Sequence, residues 1–282
     1  MSKVAVVGAG TMGNGIAHVF AQFGWETVLI DVSTEAVQRG LAVIEKNTER
    51  QASKGVITAS QRRELLARLR TSTSVEAAKD AELVVEAATE NPKIKFTLFN
   101  ALSRITTPST ILASNTSSIS ITELAKHTDR PAKVIGMHFM NPVPLMPLVE
   151  VVKGQETGEG CVSQVVEIAK ALGKTPVVVN DAPGFVSNRV LMPMINEAIL
   201  CVQEGVATAE AVDQVMTLGM KHPLGPLALA DLIGLDVCLA ILDVMVEGFA
   251  DPKYRPARLL KEMVASGRLG RKSGVGFYVY RD

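Results

Sequence analysis

Over the first 180 residues, short β-branched runs alternate with longer stretches in which apolar residues recur at helical spacing. The runs VAVV (4–7), TVLI (27–30), ELVVEA (82–87), TILAS (110–114), KVIGM (133–137), LVEVV (148–152) and PVVV (176–179) predict seven strands. Strands that alternate with helices in this way predict a parallel sheet covered by helices. Between the second and third runs lie about fifty residues, more than one crossover helix needs. AVQRGLAVIEKNTERQAS and ITASQRRELLARLR both carry helical spacing and meet at Lys54-Gly55, which predicts an inserted helical hairpin with a polar, basic tip.

The texture changes at NDAPGF, where Pro183-Gly184 breaks the pattern. Beyond it VSNRVLMPMINEAILCVQEG, TAEAVDQVMTLGM, LALADLIGLDVCLAILDVMVEGF and ARLLKEMVASGRLG read as helices, and the next strand signal is GFYVY at 276–280. The expectation is an α/β N-terminal domain over 1–183 and an all-helical C-terminal domain over 184–282. Several of these helices are apolar on more than one face, which predicts burial of the helical domain against a second copy, as a homodimer.

Charge narrows the choice of partners. Lys plus Arg number 29 and Asp plus Glu number 29, so the chain has no overall field to attract nucleic acid or an anionic membrane. The N-terminus runs from one Lys through four apolar residues into glycines, and no apolar run reaches membrane-spanning length. These features predict a soluble cytoplasmic protein. Cys161, Cys201 and Cys238 are odd in number and far apart, which argues for packing thiols rather than a disulfide framework or a zinc site.

The first strand runs into Gly8-Ala9-Gly10-Thr11-Met12-Gly13, which opens a helical pattern, and the second strand ends at Asp31. A GxGxxG in that context is the fingerprint of a Rossmann-like dinucleotide site. Gly8 permits the turn, Gly10 lets the backbone approach a pyrophosphate, and Gly13 lets helix and strand pack closely. Asp31 suits the adenosine ribose hydroxyls and repels a 2′-phosphate, so the expected cofactor is NAD rather than NADP.

The stretch GMHFMNPVPLMPLVEVV places His138 in an apolar run and Glu150 twelve residues later, across the Pro-stiffened loop 141–147. Such a loop can fold back and bring the two side chains together. A carboxylate on one ring nitrogen fixes the tautomer and makes the other nitrogen a stronger base, the arrangement a proton-transfer catalyst needs. His18, His127 and His222 have no acid at a persuasive spacing and read as structural or surface residues.

GAGTMG, ASNTSS (113–118), GMHFMNPVPLMPLVEVV, DAPGFVSNRV (181–190), HPLGPLALADLIGLD (222–236) and GRKSGVGFYVY (270–280) together closely resemble the short, stand-alone 3-hydroxyacyl-CoA dehydrogenases. The resemblance spans essentially the whole chain in order. It implies interconversion of (S)-3-hydroxyacyl-CoA and 3-oxoacyl-CoA, such as 3-hydroxybutyryl-CoA and acetoacetyl-CoA, with NAD. It also implies that Ser117, His138, Glu150 and Asn188 form the active-site quartet, that Glu90, Lys95 and Asn115 lie near the nicotinamide end, and that Lys54 contacts the CoA moiety. Ser117 and Asn188 would both donate to the reacting oxygen, in a cleft between the domains. Read from the residues alone, Ser117 and Asn188 could instead be helix caps, and Lys54, Glu90 and Lys95 could be surface charges. Two rival functions share the pattern: a gulonate-type sugar-acid dehydrogenase, and a non-enzymatic relative that keeps NADH binding.

Overall fold

A computed structural model describes residues 2–280. The chain forms two compact units that divide between Ala182 and Pro183.

The first unit is built on eight strands: β1 (Lys3–Val7), β2 (Glu26–Ile30), β3 (Leu69–Ser72), β4 (Leu83–Glu86), β5 (Ile111–Ser114), β6 (Val134–Phe139), β7 (Leu148–Lys153) and β8 (Thr175–Asn180). They form one sheet in the order β3-β2-β1-β4-β5-β6-β7-β8. The order reverses at β1, which pairs in parallel with both β2 and β4. Crevices at such a reversal, outside the carboxyl ends of the strands, are where open α/β sheets bind ligands.

The expectation of a parallel sheet needs one correction: β6 and β7 run antiparallel. Their connection is the eight-residue stretch 140–147, long enough for a hairpin and far too short for a crossover. Lys174 fastens that connection, its Nζ donating to the carbonyls of Val143 at 2.6 Å and Met146 at 2.8 Å.

Helix α1 (Thr11–Gln22) follows β1 and is buried along most of its length, with Ile16, Ala17 and Phe20 in the core beneath the sheet. The inserted hairpin is α2 (Thr34–Ser53) and α3 (Ala59–Arg68), turning at Lys54 and Gly55. Ser33 caps α2, and a capping box between Thr58 and Gln61 starts α3. The helical pattern of 57–70 runs past the helix itself, because Leu69–Ser72 leaves it and pairs with β2 as the edge strand β3. Three further helices, α4 (Pro92–Ile105), α5 (Ile121–Ala125) and α6 (Glu159–Ala171), complete the unit.

The second unit comprises α7 (Ser187–Gln203), α8 (Ala209–Gln214), α9 (Pro226–Ile233), α10 (Leu235–Phe249) and α11 (Arg258–Ala265). Its core gathers Met192, Ile195, Ile199, Leu227, Leu242, Met245 and Leu260. The long apolar stretch 227–249 breaks into α9 and α10 at Gly234, whose φ of 106° a side chain would strain. GFYVY does not form the expected strand. Phe277 and Tyr278 donate their backbone N–H groups to the buried Asp231 carboxylate, at 3.0 Å each, so those donors are withdrawn from any ladder. What remains is a pair of isolated bridges through Val275.

Candidate active site

At the end of β1 the backbone turns through Gly8 at φ 107°, and a side chain there would collide with the Ala87 carbonyl. A Cβ on Gly13 would lie 1.7 Å from the Gly8 carbonyl oxygen, so α1 sits on the turn only because Gly13 has none. Gly10 differs: a Cβ there would meet no atom within 4 Å. Gly10 is also the N-cap of α1 and brings no side chain to satisfy the first helical N–H groups. Thr11 is exposed beside it and Met12 is half-buried against the core. Exposed backbone donors over open space at a helix N-terminus make a cradle for a phosphate anion.

Asp31 closes the other side. Its Oδ2 accepts from Ala9 N at 2.8 Å and its Oδ1 from Ser33 N at 3.2 Å. A carboxylate has about four acceptor directions, so two remain for ribose hydroxyls. The cradle therefore fits a dinucleotide without a 2′-phosphate, with Gly10, Thr11 and Asp31 the residues that would hold it.

The antiparallel ladder brings the ring and the acid together. His138 in β6 lies directly opposite Glu150 in β7, and both are buried. Nδ1 of His138 donates to Oε2 of Glu150 at 2.7 Å. With its proton on Nδ1, the neutral ring presents Nε2 as an acceptor, and Ser117 Oγ lies 3.1 Å from it. This geometry sets one ring nitrogen beside one hydroxyl at the carboxyl end of the strands.

The loop after β5 that carries Ser117 is held by Glu90. Its Oε1 accepts from Thr116 Oγ1 at 2.6 Å, Ser117 N at 2.7 Å, Ser118 Oγ at 3.0 Å and Ser118 N at 3.1 Å. Partial burial works against the Glu90 charge, but the Lys95 ammonium and these donors outweigh it and hold the carboxyl below the usual carboxylate range. Ser117 is not a helix cap, since Ser120 occupies that position for α5.

Lys95 is not a surface charge either. It is 1% exposed, and its Nζ donates to both oxygens of Glu86 at 2.7 Å while lying 3.3 Å from Glu90 Oε2. Glu86, the last residue of β4, escaped the sequence reading. It looked like part of an apolar strand, and its partner stands nine residues on, across a turn. The clue available was an acid inside ELVVEA, a run otherwise suited to full burial.

Asn115 braces the site from behind, its Oδ1 accepting from Phe139 N at 2.9 Å. Asn188 belongs to the second unit, where it is buried in the first turn of α7; the N-cap there is Val186. Lys54 is exposed at the end of α2. Of the remaining histidines, His18 is fully buried with Nε2 3.1 Å from Gln51 Oε1, and His127 stacks on Phe96. Burial raises the thiols of Cys161 to about 11 and Cys238 to about 12, which leaves both unreactive. Among the described residues no group of three His, Cys, Asp or Glu could hold a metal ion, and no helix is long and apolar enough to cross a membrane.

A dinucleotide cradle at the switch point of the sheet, with an acid-held imidazole two strands beyond its nearest edge, defines the class: an NAD-dependent oxidoreductase of the alcohol–ketone type. The comparisons make the assignment specific. The family model for the 3-hydroxyacyl-CoA dehydrogenase NAD binding domain matches residues 3–182, and that for the 3-hydroxyacyl-CoA dehydrogenase C-terminal domain matches 184–280. The chain belongs to the 3-hydroxyacyl-CoA dehydrogenase family. It is 55% identical to a probable 3-hydroxybutyryl-CoA dehydrogenase of Deinococcus radiodurans, over 99% of this chain and 100% of that one. It is 50% identical to a 3-hydroxybutyryl-CoA dehydrogenase of Bradyrhizobium diazoefficiens, over 100% of this chain and 96% of the other. The crystal structure of the (S)-3-hydroxybutyryl-CoA dehydrogenase from Ralstonia eutropha superposes with a TM-score of 0.97, at 49% identity and complete coverage of both chains.

Proposed function

We propose that this chain interconverts (S)-3-hydroxybutyryl-CoA and acetoacetyl-CoA, with His138 moving the hydroxyl proton and Glu150 holding His138. The observation that carries the reading is the 2.7 Å bond between His138 Nδ1 and Glu150 Oε2, which supports Nε2 as the nitrogen that exchanges the proton. NAD, when bound, supplies the hydride chemistry. In the oxidising direction Nε2 accepts the proton of the substrate hydroxyl, and the buried Glu150 carboxylate stabilises the imidazolium that results. In the reducing direction the imidazolium returns that proton to the oxygen. Ser117 Oγ, next to Nε2, is placed to donate to the same oxygen, a contribution of roughly 3 kcal/mol by comparison with single oxyanion donors. Asn188 serves as a second donor, an assignment that rests on the family motif.

The substrate class is supported by the relatives' names and by the exposed Lys54 at the hairpin tip, which suits the phosphates of CoA. The helical unit exposes Val206, Val215, Leu218 and Met220, apolar surface that supports its role in a homodimer.

The test is loss of NADH absorbance on mixing the protein with acetoacetyl-CoA, beside gulonate with NAD. Rapid oxidation of NADH by the CoA ester alone supports the proposal. Turnover of the sugar acid alone, or binding of NADH with no turnover of either, overturns it.

A further inference from the structure

The buried Glu86–Lys95 pair has no part in the proton transfer described above, yet its contacts lead to the loop that carries Ser117. Glu86 Oε1 accepts from Lys95 Nζ and from Ala88 N, both at 2.7 Å. Its Oε2 accepts from Lys95 Nζ and from Ser114 Oγ, again at 2.7 Å. Ser114 Oγ in turn accepts from Thr116 N at 3.1 Å. Lys95 reaches Glu90 Oε2 at 3.3 Å, and Glu90 Oε1 holds Thr116, Ser117 and Ser118. Two routes, one hydrogen-bonded through Ser114 and one through the Lys95–Glu90 ion pair, therefore lead from one fully buried carboxylate to the loop that sets Ser117 Oγ 3.1 Å from His138 Nε2.

A buried ion pair is an expensive way to stabilise a fold, because two charges leave water and apolar residues would fill the same space at less cost. What such a pair does well is fix direction. Glu86 ends β4, and its four bonds run to three neighbours: the loop after β4, Lys95 of helix α4 twice, and the end of β5.

We propose that Glu86 is a positioning residue for the reaction, acting through Lys95 and Ser114 to hold the Glu90-bound loop that presents Ser117 to His138. The inference rests on the reading that Ser117 and His138 meet the substrate oxygen. Removing the Glu86 charge frees Lys95 to draw Glu90 away from the loop. Ser117 then loses its place although no residue at the reacting oxygen has changed.

The test uses steady-state kinetics of the full chain at saturating NADH, with Glu86→Gln, Ser114→Ala, Lys95→Met and the double variant Glu86→Gln/Lys95→Met. Glu86→Gln should lower kcat about 10- to 100-fold, the range expected for a displacement of about an ångström, while KM for acetoacetyl-CoA moves by less than about threefold. Ser114→Ala, which removes one hydroxyl and no charge, should lower kcat in the same direction with its melting temperature close to the parent's. It keeps the question open to measurement if Glu86→Gln fails to fold. The double variant should lose no more kcat than the worse of its two single variants, because both act along one route. Normal kcat in Ser114→Ala, normal kcat in a folded Glu86→Gln, or additive losses in the double variant would each overturn the proposal. Ser117→Ala separates the two levels: near-normal kcat there would remove the loop from the chemistry and so contradict the underlying reading itself.

Discussion

His138 and Glu150 occupy directly opposed positions on the antiparallel β6–β7 ladder, and their side chains meet at 2.7 Å in the buried interior. Opposed residues on such a ladder have Cβ atoms about 5 Å apart, the span an imidazole and a carboxylate need to share one proton. A slip of either strand by one residue would turn its member of the pair to the other face of the sheet and part the two. The backbone, more than any side-chain network, holds this pair.

Glu150→Gln tests the contribution of the acid. Glutamine retains an oxygen to accept from Nδ1 but carries no charge to stabilise the imidazolium. Turnover of acetoacetyl-CoA should fall by roughly 10²-fold with NADH affinity unchanged, measured by stopped-flow oxidation and by fluorescence titration. Equal turnover in the variant would reduce Glu150 to packing.

Gly10 and Gly13 separate cofactor binding from folding. A Cβ on Gly10 meets no protein atom, so Gly10→Ala should melt close to the parent and yet bind NADH about tenfold or more weakly, because the methyl fills the phosphate cradle. Gly13→Ala should lose both stability and binding, since its methyl would overlap the Gly8 carbonyl. Calorimetry and NADH titration on the two variants would expose a wrong assignment if Gly10→Ala bound normally.

Much of this is legible in the sequence. The strand-glycine-helix motif, Asp31 at the end of β2 and the Lys54-Gly55 turn all follow local rules of spacing and backbone conformation. What could not be read depends on partners distant in sequence. Leu69–Ser72 is a polar edge strand with only Leu69 buried, so its residues carry no strand pattern and its identity comes from β2. The antiparallel sense of β7 depends on where the chain returns after Pro147. Glu86 became visible only once α4 brought Lys95 over the end of β4. GFYVY has strand composition, but the Asp231 carboxylate takes the N–H groups a ladder would use.

Lys54→Ala addresses the hairpin tip. Loss of one exposed cation facing a phosphate-bearing substrate should raise KM for acetoacetyl-CoA roughly three- to tenfold with kcat little changed, and added salt should shrink the difference. An unchanged KM at low ionic strength would return Lys54 to the surface.

His18 provides a pH signature independent of catalysis. Burial lowers its pKa, Nε2 faces Gln51 and Nδ1 meets no polar group. The unfolded chain therefore takes up a proton near pH 6.5 that the folded site refuses. Stability is unaffected by this group above that pH, falls as pH drops below it, and levels off once the lowered folded value is passed. Urea melts between about pH 7.5 and 5 should show the loss, and His18→Leu should flatten that part of the profile; an unaltered slope would assign the loss to other groups.

The most direct measurement is the single-turnover rate of His138→Gln with NADH and acetoacetyl-CoA, beside its NADH affinity and melting temperature. Glutamine keeps polarity and similar bulk but cannot shuttle a proton. The rate should fall about 10²-fold or more while binding and stability stay near the parent's. A rate close to the parent's would contradict the assignment of His138 as the residue that moves the proton.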